Sequence, residues 1–184
     1  VSAVVPLGSG LNKVMMTKTK SWQDKVALSS CLQHLLTICK GKAIVQLAQE
    51  ILPGLVGATD KETKEEVKCG GLALMGVCCF RADKCGGDVF KSLNKALETG
   101  SDCVRRAALQ ALGAAMRSTG VRNEAVDMVG GLVKVAQTAD KKPAYRPNSL
   151  TALQLLLHLM QQHKMAADKW SDAKLWALLM SQDS

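Results

Sequence analysis

The chain has 184 residues, 47% of them apolar, and carries a formal net charge of +8. That length and apolar content suffice for one packed domain. Aromatic residues are only 3%, so the core has to be built from Leu, Val, Ala, Met and Cys. β-Branched alternation is nearly absent, which excludes strands from the expectation, and no apolar run reaches the roughly 18 residues that read as a membrane span.

Val1 to Gly10 is mildly apolar and broken by Pro6, Gly8 and Gly10. It lacks the form of a signal peptide and reads as a loose lead-in or as the end of a preceding element. The chain does not start with Met, and it is expected to be one segment of a longer protein. Leu11 to Thr17 reads as a short helix. Ser21 with Asp24 three residues on resembles a capping box, Asp replacing Glu. The helix it opens carries the apolar stripe Val26, Leu28, Cys31, Leu32, Leu35, Leu36 and Ile38, runs to about Cys39, and is closed by Gly41 in the C′ role.

The next helix spans about Ala43 to Leu55, with Pro53 bending or closing it. Asp60 is the expected cap of the one after, whose early acids Glu62, Glu65 and Glu66 suit the helix dipole. That helix continues to about Phe80. Gly70-Gly71 inside it costs about 1 kcal/mol per glycine against alanine, which implies a close approach of a neighbouring helix rather than a break. A loop from Arg81 to Gly87 follows, then helices at Asp88 to Glu98, Ser101 to Arg117 and Arg122 to Gln137. Thr138 to Asn148 is the longest irregular stretch. Asn148 or Ser149 caps a Leu-rich helix to about Met160, and a last helix covers about Ala167 to Met180 with Trp170 and Trp176.

These helices recur in pairs. Val26, Val67 and Val104 occupy like places 41 and 37 residues apart, and Leu109 precedes Leu153 by 44. Two helices per period of about 40 residues predict an all-α solenoid, with about four to five repeats over residues 1–184. Such a fold offers surface rather than a catalytic pocket.

The residues agree with that reading. Gly70-Gly71, Gly86-Gly87 and Gly130-Gly131 lack the flanking Lys-Ser/Thr of a phosphate loop. His34, His158 and His163 complete no ligand set with the cysteines, and no C-x-x-C occurs, so no metal or cofactor is expected. Seven cysteines show no framework spacing. Cys69, Cys78, Cys79 and Cys103 sit in apolar helical stretches as free, small hydrophobes, which points to a reducing, cytoplasmic setting. Cys85, in a loop beside Lys84, is the one candidate for a reactive thiol, though no base accompanies it. No catalytic residues, small-molecule substrate or membrane contact is expected.

Charge is uneven. Between Val1 and Gln49 there are six lysines against a single acid, Asp24. A basic surface favours RNA, anionic lipid or acidic protein partners, while scattered lysines also serve simply as a solvated face. The candidate partner-binding set is Lys13, Lys18, Lys20, Lys40, Lys42, Arg106, Lys141, Lys142 and Arg146. Lys141, Lys142 and Arg146, with Tyr145, form a basic loop with one aromatic, which reads either as a solvated loop or as a contact for RNA or an acidic peptide, and is the first candidate for a functional protrusion. Arg105 is expected to pair with Asp60 or Asp102 of an adjacent repeat. Trp22, beside Lys20 and Lys25, is either an anchor on the next helix or part of a partner-binding turn.

Leu52-Pro53 near the end of a first helix and Val104-Arg105 opening a second resemble HEAT repeats over almost the whole chain, and imply a right-handed superhelical solenoid of antiparallel helix pairs. A narrower resemblance spans about Leu47 to Gln182. Ile51-Leu52-Pro53, Val89-Phe90-Lys91 with Lys95-Ala96, Val104-Arg105 with Leu109, Ala125-Val126-Asp127, the long polar loop, Leu153 to Leu159 and Lys174-Leu175-Trp176 follow in an order that is similar to the very large HEAT translational activators of general amino-acid control. Those proteins bind ribosomes and activate the kinase of translation initiation factor two alpha. The resemblance implies a non-catalytic scaffold whose partners are the ribosome, through its RNA or proteins, and other proteins. Ser21-Trp22 with Lys25 also look like the first turn of tubulin-binding TOG arrays, although the later turns, Ala58-Thr59-Asp60 and Thr99-Gly100-Ser101, lack a basic row. A generic adaptor or transport solenoid is the remaining alternative.

Overall fold

The computed structural model describes residues 4–18, 21–82, 85–117, 128–137 and 146–163. Over these the chain forms α1 (Val4–Lys13), α2 (Trp22–Ile38), α3 (Lys42–Lys61), α4 (Glu65–Ala82), α5 (Gly87–Thr99), α6 (Asp102–Ala115), α7 (Val129–Gln137) and α8 (Arg146–His163), with a π-helical turn, Val14–Lys18, after α1. The described residues are helical and contain no strand. No helix among them is long and apolar enough to cross a membrane. The expected last helix, the stretch 121–127 and the loop 138–145 lie outside the described residues.

The start of the chain differs from expectation. Val4–Lys13 is helical despite Pro6, Gly8 and Gly10. Pro6 falls in the first turn, where its absent N–H would have had no intrahelical partner. Gly8 is buried, and a Cβ there would run into the Leu47 side chain, so the glycine lets α1 lie on α3. Ser21 caps α2 as expected, its hydroxyl accepting from the Asp24 N–H at 3.4 Å. Gly41 acts at the start of α3 rather than at the end of α2, with φ at +110°.

Pro53 does not close α3, which runs on to Lys61. Proline removes one bond, to the carbonyl of Gln49, and both residues are exposed, so water can take that acceptor. The turns beyond bury Leu55 and Thr59, which offsets the cost of the proline. Asp60 therefore lies inside α3 and is not the cap of α4. Glu62, at the C-cap of α3, orders the connection instead: its Oε1 accepts from the N–H groups of Thr63 and Lys64 at 3.0 and 3.2 Å.

α4 is the centre of the molecule. Leu72, Leu74, Met75, Cys78 and Cys79 are all fully buried, so the helix is apolar on more than one side, the pattern of a helix enclosed by neighbours. It packs against α2, α3 and α6. Gly70 and Gly71 do not break it. A Cβ on Gly70 would come within 2.6 Å of Ser29 Oγ on α2, and one on Gly71 would collide with Thr59 on α3. Gly76 faces α6 in the same way: its Cβ would sit 2.5 Å from the Ala111 Cα. The paired glycines are read correctly from sequence as sites of close approach.

The helices sort into two rows. α2, α4, α6 and α8 pack on one another in chain order, and so do α1, α3, α5 and α7, while each odd helix packs on the even helix that follows it. Polar contacts fix the direction of the even row. The Cys103 thiol, at the start of α6, reaches Glu65 at the start of α4, and Asn148 at the start of α8 reaches Asp102 at the start of α6. At the opposite end Arg81, late in α4, donates to the carbonyls of Leu36 and Thr37 in the last turn of α2. The even helices thus run side by side in one direction.

Two further expectations are overturned. Arg105 pairs with neither Asp60 nor Asp102; its guanidinium donates to the carbonyls of Leu97 and Glu98, at 3.0 and 3.3 Å. These belong to the last turn of α5, where carbonyls lack helical partners, and a five-donor fork suits two neighbouring acceptors. Cys79 and Cys85 are not free thiols. They form a disulfide that closes the connection between α4 and α5, with Cα atoms 5.2 Å apart. Both are buried, so Cys85 is not the reactive loop thiol its place beside Lys84 had implied.

Candidate functional site

The starts of α2, α4, α6 and α8 make a continuous polar edge whose parts are joined from one helix pair to the next. At α2, Lys25 Nζ forms an ion pair of 2.9 Å with Glu62 Oε2, which follows α3. The Lys25 hydrogen bond, reinforced by the Thr63 and Lys64 N–H groups, holds the Glu62 carboxyl below the usual range against the opposing effect of its burial. At α6, Cys103 and Ser101 approach Glu65, and their hydrogen bonds lower its carboxyl too. Asp102 accepts from Arg106 at 3.4 Å and from the buried Asn148 amide, which also donates to the Asp102 carbonyl at 3.1 Å. Asn148 is therefore not a cap; α8 begins earlier, at Arg146, and the Asn148 side chain turns inward to bind the preceding pair.

A second link of this kind joins α3 to α5, where Ser92 Oγ donates to Asp60 Oδ1 at 2.6 Å. An aspartate beside the connection within one pair is thus met by a hydroxyl or amide from the next pair, in the role expected of arginine. No short-range motif marks Ser92 or Asn148; only their inward place on an apolar helix could have drawn attention to them.

Those of the predicted basic residues that are described are distributed rather than clustered. Lys13 is exposed in the last turn of α1. Lys40 and Lys42 are exposed on either side of Gly41, in the connection from α2 to α3, at the end away from the polar edge. Arg106 is exposed but engaged with Asp102. Arg146 is exposed as the first residue of α8. The side chain of Lys18, and Lys20, Lys141, Lys142 and Tyr145 entirely, lie outside the described residues. Trp22 is 38% exposed at the first turn of α2. Acids share the edge with these cations: Asp24, Glu62, Glu65, Glu66 and Asp102 all belong to it, so its described part is mixed in charge.

Two hollows accompany the edge. A cavity of 80 Å³ lies beneath the Lys25–Glu62 pair, lined by Met15, Ser29, Thr59 and Gly71 among others. It is well below the 300–1,000 Å³ range of small-molecule sites. A groove of 760 Å³ runs between α3 and α5, with Leu52, Pro53, Val56 and Val89 as its apolar lining and Asp60 and Asp88 beside them. Lys91 at its rim pairs with Asp88 at 3.6 Å. Among the described residues no three His, Cys, Asp or Glu side chains gather to hold a metal ion. Burial pushes the Cys78 thiol up to about 12, which leaves it protonated and inert. No family model, curated protein or solved structure matches the chain.

Proposed function

We propose that this chain is a stretch of HEAT-type solenoid, its antiparallel helix pairs wound into a right-handed superhelix, and that it serves as a non-catalytic scaffold at cytoplasmic ribosomes, supporting activation of the stress kinase that acts on translation initiation factor two alpha. The observation that carries the scaffold reading is the ladder between pairs. Ser92 to Asp60 joins successive pairs through the odd row and Asn148 to Asp102 through the even row, and the two rows of helices follow chain order. Among the described residues the principal contacts of each pair are with its neighbours in the chain, the construction that makes long binding surfaces. The ribosomal reading is supported by the order of motifs from Ile51 to Trp176 and by the net charge of +8. A basic array near rRNA gains from counterion release, so its binding is salt-sensitive.

Co-sedimentation with purified ribosomes across a salt series tests this. Binding that falls steeply with salt and drops when Lys141, Lys142 and Arg146 are replaced by Ala is the expected result. Absence of pelleting at low salt, where charge attraction is greatest, refutes it. One observation favours a second reading, a TOG-like tubulin array: Trp22 is partly exposed at the first turn. Copelleting with tubulin that is lost in Trp22→Ala would put that reading first.

A further inference from the structure

The first turns of α4 and α6 bring two free thiols together. Cys103, second residue of α6, is exposed; its Sγ donates to Glu65 Oε2 at 3.1 Å and lies 3.4 Å from Ser101 Oγ. Glu65 and Cys69 are four residues apart on α4 and share a face. Cys69, half-buried on that face, lies close enough to Cys103 for the two thiols to interact electrostatically. The other cysteines are placed differently: Cys79 and Cys85 are already bonded to each other, Cys78 is buried, and Cys31 and Cys39 belong to α2 and its end.

We propose that Cys69 and Cys103 are a dithiol modification site, which a small-molecule disulfide of the glutathione type oxidises to a disulfide joining α4 to α6. The inference is independent of which partner the edge binds. Cys103 is the accessible member and reacts first. It releases its proton to water, its sulfur attacks one sulfur of the oxidant, and the oxidant's S–S bond breaks to free one small thiol. Cys69 then releases its proton and attacks the Cys103 sulfur, displacing the second small thiol. The two protein thiols are oxidised by two electrons, and the small disulfide is reduced to two thiols. Burial, followed by the neighbouring Cys103, Glu65 and Glu66, holds the Cys69 thiol well above its ordinary value. It therefore enters second, and the reaction accelerates with rising pH because the thiolate is the nucleophile. The new bond replaces the Cys103–Glu65 contact and fixes two turns of the polar edge that are otherwise held by hydrogen bonds.

The test incubates the unreduced 184-residue chain with glutathione disulfide, then maps it by intact mass and by digestion without reductant. Wild type is expected to yield a Cys69–Cys103 cross-linked peptide two hydrogens lighter than the two reduced peptides together, whatever glutathione the exposed Cys31 takes up, while Cys69→Ser keeps glutathione on Cys103. Wild type that accumulates glutathione on Cys103 without the cross-linked peptide overturns the proposal. A second measurement covers any folding defect of Cys69→Ser. Phenylarsine oxide condenses with two thiols at once, releasing water. It is expected to protect both cysteines of wild type from alkylation, and to leave Cys69 unprotected in Cys103→Ser, a change at an exposed position. Equal alkylation of both wild-type cysteines with and without the arsenical also refutes the pair.

Discussion

Replacing Gly76 by alanine sets two effects against each other. Alanine in a helix interior is favoured over glycine by about 1 kcal/mol. At this position, however, the new Cβ would stand 2.5 Å from the Ala111 Cα, 2.8 Å from its carbonyl oxygen and 3.0 Å from its Cβ. Carbon atoms rest at about 3.5–4.0 Å, so α4 and α6 have to separate by roughly 1 Å. The obstacle is backbone and cannot rotate away. A gap of that size forfeits about a quarter to a half of each dispersion contact along the interface, where Leu72, Met75, Ala108 and Leu112 are buried. Taking overpacking at its upper range of about 3 kcal/mol and subtracting the helical gain leaves a net loss of about 2 kcal/mol. For a domain of this size that corresponds to a melting temperature lower by about 4–8 °C. Gly57→Ala is the matched control. It too lies inside a helix, but nothing is within 4 Å of its added Cβ, so it should stabilise by up to about 1 kcal/mol. Urea unfolding followed by far-UV circular dichroism reads both. If Gly76→Ala is as stable as wild type, or if the two changes shift stability in the same direction, the close contact between α4 and α6 is not as described.

The Lys25–Glu62 pair gives a pH signature. Because the folded Glu62 carboxyl is lowered, its contribution is complete above the ordinary glutamate range and disappears as pH falls through the folded value. Glu62→Gln should cost about 0.5–1 kcal/mol at neutral pH and converge with wild type in acid; melting curves that stay equally far apart at every pH would count against the ion pair. Arg81→Lys removes a fork that serves two carbonyls of α2. An ammonium replaces one bond rather than both, so a loss of about 1 kcal/mol is expected, with faster hydrogen exchange confined to the last turn of α2. Uniform acceleration over the whole chain would contradict a local capping role.

The helical pairs were legible because their apolar stripes extend over many residues, and the paired glycines at 70–71 because a helix tolerates them only where a neighbour requires the space. Pro6, Gly8 and Pro53 misled for a common reason. Each is locally unfavourable to a helix, but the penalty at Pro6 is removed by its place in the first turn, at Gly8 by contact with Leu47, and at Pro53 by the burial gained beyond it. The polar links were less legible than the apolar core. Asp60, Asp102 and Arg105 stand out as charged residues, but which atom each meets depends on where helix ends leave carbonyls unpaired and on where Ser92 and Asn148 arrive from the next pair. Sequence separation holds neither fact. The Cys79–Cys85 bond was missed because six residues of helix and loop carry no framework spacing, and its closure depends on how the end of α4 turns back.

The groove between α3 and α5 and the tight seam between α4 and α6 give the molecule unequal compliance. On the even side, backbone meets backbone at Gly76 and Ala111, so that row resists compression and behaves as a pivot. On the odd side, a groove of 760 Å³ lies between α3 and α5, and Ser92 of α5 is joined to Asp60 of α3. A load across the array is therefore expected to open or close the groove between α3 and α5 before it compresses the seam between α4 and α6.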